Sequence, residues 1–169
     1  DMLNARLPPY PRLTENQRAQ LKDYIRIFLA EKSFEGCGGF ALTDEVRVLI
    51  AAQACLLLLN RGTDVYPRLR SVLVYPSTYV AVKKGSSGGA EGSRSVRLGE
   101  SWRTGAVVLA WDSVKHGAWN FRDGRNVAMH EFAHQLDQED GAADGVPAVG
   151  GQRYGVWARV VERDFEKLV

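Results

Sequence analysis

The sequence predicts an α+β chain, with helices first, short strands in the middle and helices again at the end. Apolar residues recur at helical spacing through the first third of the chain, β-branched and aromatic runs occupy the middle, and helical spacing returns from Asn126. Because the strand signals are grouped rather than alternating with helices, the sheet is expected to be mixed or antiparallel and packed against the helices.

Thr14 and Gln17 have the spacing of a capping box, and Leu21, Tyr24, Ile25, Phe28 and Leu29 follow on one helix face. Gly36, Gly38 and Gly39 interrupt that pattern. Thr43, Asp44 and Glu45 start a second helix, whose apolar body runs to Leu59 and belongs in the core. Strands are expected at Val72 to Tyr75, Tyr79 to Val82, Ser95 to Leu98 and Ala106 to Trp111, with a polar hairpin tip at Gly85 to Gly89. Asp112 can cap a short helix, and Asp123 with Gly124 makes a turn into the segment Asn126 to Asp140. Gly141 and Gly145 then turn the chain. A last helix, from about Tyr154, would carry Val156, Trp157, Val160, Val161, Phe165 and Leu168 toward the interior.

A chain of 169 residues, 45% hydrophobic, has the size of one domain, so residues 1–169 are read as a single domain. With 22 Lys and Arg against 20 Asp and Glu the formal charge is +2, too small and too evenly spread to argue for nucleic acid or an anionic membrane. The longest apolar stretch, Val48 to Leu59, is shorter than the roughly 20 residues that cross a bilayer. No basic segment followed by an apolar one opens the chain, which leads to the expectation of a cytoplasmic protein. Cys37 and Cys55 form no CxxC pair, and Cys55 reads as a buried free thiol.

The chemistry lies in the segment His130-Glu131-Phe132-Ala133-His134, which holds two of the three histidines. On a helix, His130 and His134 stand one turn apart on one face, where both imidazoles can bind one Zn²⁺. Glu131 is offset toward the open coordination position, where it can act as catalytic base on the attacking water of a zinc peptidase. Met129, Phe132, Ala133 and Leu136 are expected to form the core stripe of this helix. Asp137, on the histidine side, is placed to accept a hydrogen bond from the ring nitrogen that a metal leaves over. His116 reads as solvated or locally bonded, and Glu162, Arg163, Asp164, Glu166 and Lys167 read as a salt-laced helix face.

A catalytic zinc normally takes three protein ligands, and HExxH supplies two. The metzincin spacing of a further histidine is absent after His134. The third ligand is therefore expected either from Glu162 or Glu166, or from a residue past Val169.

The segment HEFAHQLD from His130, followed by Asp140-Gly141 and Gly145-Val146-Pro147, together with FEGCGGF from Phe34 and IAAQACLLLL from Ile50, resembles the Mlc titration factor A peptidases. This is a group of bacterial, cytosolic, zincin-like metallopeptidases. The resemblance implies a zincin-like fold, His130 and His134 as zinc ligands, and Glu131 as catalytic base. It implies a third ligand from a glutamate several tens of residues beyond His134, so that the chain is expected to be truncated at its C-terminus. It also implies a strand beside the active helix that aligns a peptide substrate by backbone pairing, here Val107, Val108, Leu109 and Ala110. Aminopeptidase-like activity on short substrates and binding of the glucose repressor Mlc, with a link to sugar uptake, are implied as well. The alternative is a non-catalytic module that titrates a repressor and whose zinc site is structural or vestigial.

Overall fold

A computed structural model describes residues 2–61, 64–77, 105–139 and 151–167, with side chains in the last stretch from Tyr154 onward. The expected strands at 79–82 and 95–98, the glycine-rich tip between them, Gly141, Gly145 and Leu168 lie outside these residues. Two compact units are distinguished, Asp1–Gln135 and Leu136–Val169.

The first unit opens with α1 (Met2–Arg6) and a 3-10 turn at Tyr10–Arg12, which bury Leu3, Leu7 and Tyr10. Helix α2 (Glu15–Glu31) has the capping box that the sequence predicts. The Gln17 backbone N–H donates to Thr14 Oγ1 at 3.3 Å, and the Thr14 N–H donates to Gln17 Oε1 at 3.0 Å. Its buried stripe is Leu21, Ile25 and Phe28.

Strand β1 (Ser33–Gly36) follows, then α3 (Asp44–Leu56), capped by Thr43, whose hydroxyl accepts from the Val46 N–H. Every residue of α3 from Leu49 to Cys55 is buried, as a core helix requires, and α3 packs against both α1 and α2. It ends at Leu56, before the expected Leu59, and the chain then turns through Asn60 at φ 63°.

Strands β2 (Ser71–Tyr75) and β3 (Ala106–Ala110) complete a sheet of order β1-β2-β3. Both pairings are parallel, with Ser33 opposite Ser71 and Ser71 opposite Ala106. The sequence leads to the expectation of a mixed or antiparallel sheet, and the three described strands pair in parallel alone. The physical reason is β1, which the glycines of FEGCGGF disguise as a break. Once a strand precedes α3, that helix becomes a crossover of the length that parallel neighbours need. Phe34, Val72, Val74, Val107 and Leu109 share one face of the sheet by register, and the last four are fully buried.

The glycines after β1 answer to different demands. Gly38 and Gly39 have φ of 62° and 78°, a region costly for residues with a Cβ. Gly36 is extended, but a Cβ there would collide with the carbonyl oxygen of Phe40. Gly36→Ala should therefore destabilise the chain by about 1–3 kcal/mol, the range for forcing one extra carbon into a filled space. Urea unfolding of the variant beside the parent checks this, and an unchanged midpoint would show that the strand end relaxes freely.

Helix α4 (Trp111–Trp119) follows β3 without a linker and packs on both β3 and α3. Its N-cap position is Ala110, so Asp112 lies inside the first turn and does not cap the helix as expected. The Asp112 carboxylate instead accepts from the Ser113 N–H at 2.6 Å. Helix α5 (Val127–Asp137) carries the HExxH segment and runs from the first unit into the second.

In the second unit, α6 spans Gly151–Phe165. Val156, Val160, Val161 and Phe165 are exposed, Phe165 at 64%, which corrects the expectation that they face an interior. Periodicity in a sequence shows which side of a helix is apolar; it does not supply the layer that covers it. Asp164 is paired with Arg163 at 3.1 Å and with Lys167 at 2.9 Å, as expected of a salt-laced face.

Both cysteines are free, Cys37 half-buried and Cys55 buried. Burial pushes the Cys55 thiol up to about 12, so it behaves as a packed apolar group rather than a nucleophile. Among the described residues no helix is long and apolar enough to cross a membrane.

Candidate metal centre

Phe132 sets the orientation of α5. Its ring stands 5.7 Å from that of Phe28 on α2, nearly perpendicular to it, and 5.4 Å from that of Tyr66. Tyr66 is itself locked, because its hydroxyl donates to the Ala54 carbonyl at 2.7 Å and its own carbonyl accepts from the buried Lys32 ammonium at 2.9 Å. The buried stripe of α5 is consequently Ala128, Phe132 and Leu136, with Glu131 and Gln135 beside it. Met129 is only half-buried and Ala133 is exposed, so the expected stripe is rotated by one position. The rotation turns Glu131 inward, where it is only 3% exposed.

The same rotation leaves His130 exposed and His134 half-buried. Their rings cross at 83° with centroids 4.5 Å apart, and their Nε2 atoms approach to 3.1 Å. Two imidazole nitrogens on one tetrahedral zinc, each at about 2.0–2.1 Å, stand about 3.3 Å apart. The separation of the pair is thus within a few tenths of an ångström of that between two ligands to one ion. Among the described residues no group of three His, Cys, Asp or Glu side chains comes together. Glu162 on α6 and Glu166 just past its end are both exposed. The donor set described here therefore fits a zinc ion with two of its three usual protein ligands.

Asp137 is the last residue of α5 and half-buried; its Oδ1 is buried with no hydrogen-bond partner among the described residues. The strand residues Val107 and Leu109 point into the core, while Val108 and Ala110 are half-buried on the opposite face. Among the described residues β3 is an edge strand, paired only with β2.

Two residues that the sequence reading passed over, or read only as a turn, fix the entry to α5. Asn126 occupies the N-cap position, and its Oδ1 accepts from the Met129 N–H at 2.9 Å. An asparagine immediately ahead of an apolar periodic run is a readable cap signal. Asp123 ties the turn together by accepting from the Arg125 N–H at 2.9 Å and the Asn120 amide at 2.9 Å, and by pairing with His116 Nε2 at 2.7 Å. The Arg125 N–H first, then His116, hold the Asp123 carboxyl below the usual carboxylate range. His116 is thus locally bonded, one of the two states expected of it.

Two histidines one turn apart on a core-anchored helix, with a glutamate between them, are one sign of a metallopeptidase, and the relationships of the chain agree. The chain belongs to the family described as glucose-regulated metallo-peptidase M90, which it matches over residues 1–169. It is 44% identical over 172 residues to an uncharacterized protein of Synechocystis sp., covering 99% of this chain and 62% of that protein. It is 30% identical over 154 residues to Mlc titration factor A of Escherichia coli, covering 89% of this chain and 57% of that protein. To Mlc titration factor A of Cronobacter sakazakii it is 27% identical over 165 residues, covering 96% and 62% respectively. The resemblance read from HEFAHQLD and FEGCGGF is therefore borne out. The chain spans about three-fifths of the length of these relatives.

Proposed function

We propose that this chain carries the metal-binding and catalytic core of a zinc peptidase that removes residues from the amino end of short peptides. The observation that carries the reading is the 3.1 Å approach of His130 Nε2 and His134 Nε2 on one turn of a buried-sided helix, with Glu131 between them. His130 and His134 would hold the zinc, which when bound polarises the scissile carbonyl and acidifies a water molecule. A third ligand is expected from a residue outside those described.

Glu131 takes a proton from the attacking water onto its carboxylate and returns it to the leaving amine nitrogen. Glu131 is buried beside Phe132, so its carboxylate is enclosed by the protein rather than freely solvated. Asp137 is proposed to orient a histidine ring through the nitrogen left over by the metal. In the zincin-like arrangement proposed here, the strand from Val107 to Ala110, paired only with β2 among the described residues, offers backbone groups to an extended peptide.

A second reading draws on the name of the relatives, Mlc titration factor A. In it the chain meets an Mlc-type repressor in the cytoplasm and sequesters it, with no turnover of peptides. Zinc content and hydrolysis of aminoacyl chromogenic substrates by the full-length protein separate the two readings. The peptidase reading expects about one zinc per chain and turnover, both lost in His130→Ala and in His134→Ala. Repressor capture without zinc or turnover in the parent protein would leave the sequestering role in its place.

A further inference from the structure

The contacts of Asn126 go beyond capping. Its Oδ1 accepts from the Met129 N–H at 2.9 Å, its carbonyl accepts from the His130 N–H at 3.0 Å, and its Nδ2 donates to the Gly117 carbonyl in α4 at 3.0 Å. One side chain therefore bonds the first turn of α5 and the last turns of α4 together. Gly117 is buried, and a Cβ there would stand 2.9 Å from the Asn126 side-chain amide. The glycine and the asparagine are thus matched in shape as well as in hydrogen bonding. Because α4 continues directly from β3, the Asn126 contact joins the helix that bears His130 and Glu131 to the strand Ala106–Ala110.

We infer that Asn126 is a positioning residue, which sets where His130 and Glu131 stand relative to β3 and so relative to a peptide aligned on it. The inference rests on the peptidase reading above for its effect on turnover. An offset of about 1 Å between a base and a bound substrate is worth on the order of a hundredfold in rate. An N-cap alone needs only an acceptor, which serine or aspartate provides, whereas the bond to the Gly117 carbonyl needs a donor at the position of the amide nitrogen, which aspartate lacks and which the serine hydroxyl, one atom shorter, does not reach. Asn126→Ser and Asn126→Asp therefore keep the cap and remove the tether.

The test measures kcat, KM, thermal unfolding and amide hydrogen exchange for both variants in the full-length, zinc-loaded protein, with Glu131→Gln as reference. The expected result is a melting temperature within a few degrees of the parent, kcat reduced at least tenfold, KM changed less than threefold, and faster exchange at Met129 and His130. A purely structural residue would lower the melting temperature without this kcat split. Folded variants with kcat within twofold of the parent would overturn the inference. If the parent shows no Glu131-dependent turnover, the peptidase reading has failed, and the exchange data decide on Asn126 separately: unchanged exchange at Met129 and His130 overturns its positioning of α5.

Discussion

Glu131→Gln in the full-length, zinc-loaded protein should reduce peptide turnover by about 10²–10⁴-fold while leaving zinc content and unfolding temperature close to those of the parent. Glutamine has the size of glutamate, so the buried site beside Phe132 is filled as before. What it lacks is a carboxylate able to take a proton from water, which is the one task the proposed mechanism gives this side chain. The zinc would still be held by His130 and His134, whose Nε2 atoms face each other irrespective of the side chain between them in sequence. A steady-state assay paired with metal analysis reads both quantities on one sample. Retained turnover at full zinc content would remove Glu131 from the role of base, and loss of zinc in this variant would mean that the carboxylate helps to hold the metal.

The second large effect concerns stability. Phe132→Ala should cost about 3–5 kcal/mol, because the ring is fully buried and stacks edgewise against Phe28 and at a tilt against Tyr66. At roughly 2–4 °C per kcal/mol for a chain of this size, that is a fall in melting temperature on the order of 10 °C. Phe132→Leu should recover part of the loss, since it refills much of the volume without the aromatic contacts. Thermal unfolding of the two variants checks the order Phe, Leu, Ala. Equal melting temperatures would mean that α5 is held by something other than this ring.

Local signals were legible wherever one short pattern decided the structure. Thr14 with Gln17, Thr43 before its acidic pair, and the i, i+4 histidines each rest on contacts within a turn or two of helix. The apolar run from Leu49 to Cys55 was equally readable, because a helix apolar on all sides has no place but the core. What escaped was set by partners distant in sequence. β1 is four residues long and ends at Gly36, so neither length nor alternation marked it, and the parallel arrangement was hidden with it. The one-position rotation of α5 follows from where Phe28 and Tyr66 stand, which no periodicity within α5 could reveal. The exposed apolar side of α6 makes the same point from the opposite direction, since the stripe was real and its cover was inferred.

The parallel sheet also bears on the order in which the chain comes together. Ser33 meets Ser71, and Ser71 meets Ala106, so each ladder closes a long loop before its first bond forms. Pairings of this kind are slow to nucleate, whereas a helical turn closes in well under a microsecond to a few microseconds. The turn that sets His130 beside His134 is local in sequence, but β3 needs the whole sheet. On kinetic grounds, then, the turn that pairs the two imidazoles should form early in refolding and the sheet that carries β3 late, so that the slow step lies in assembling the strands rather than in bringing the histidines together.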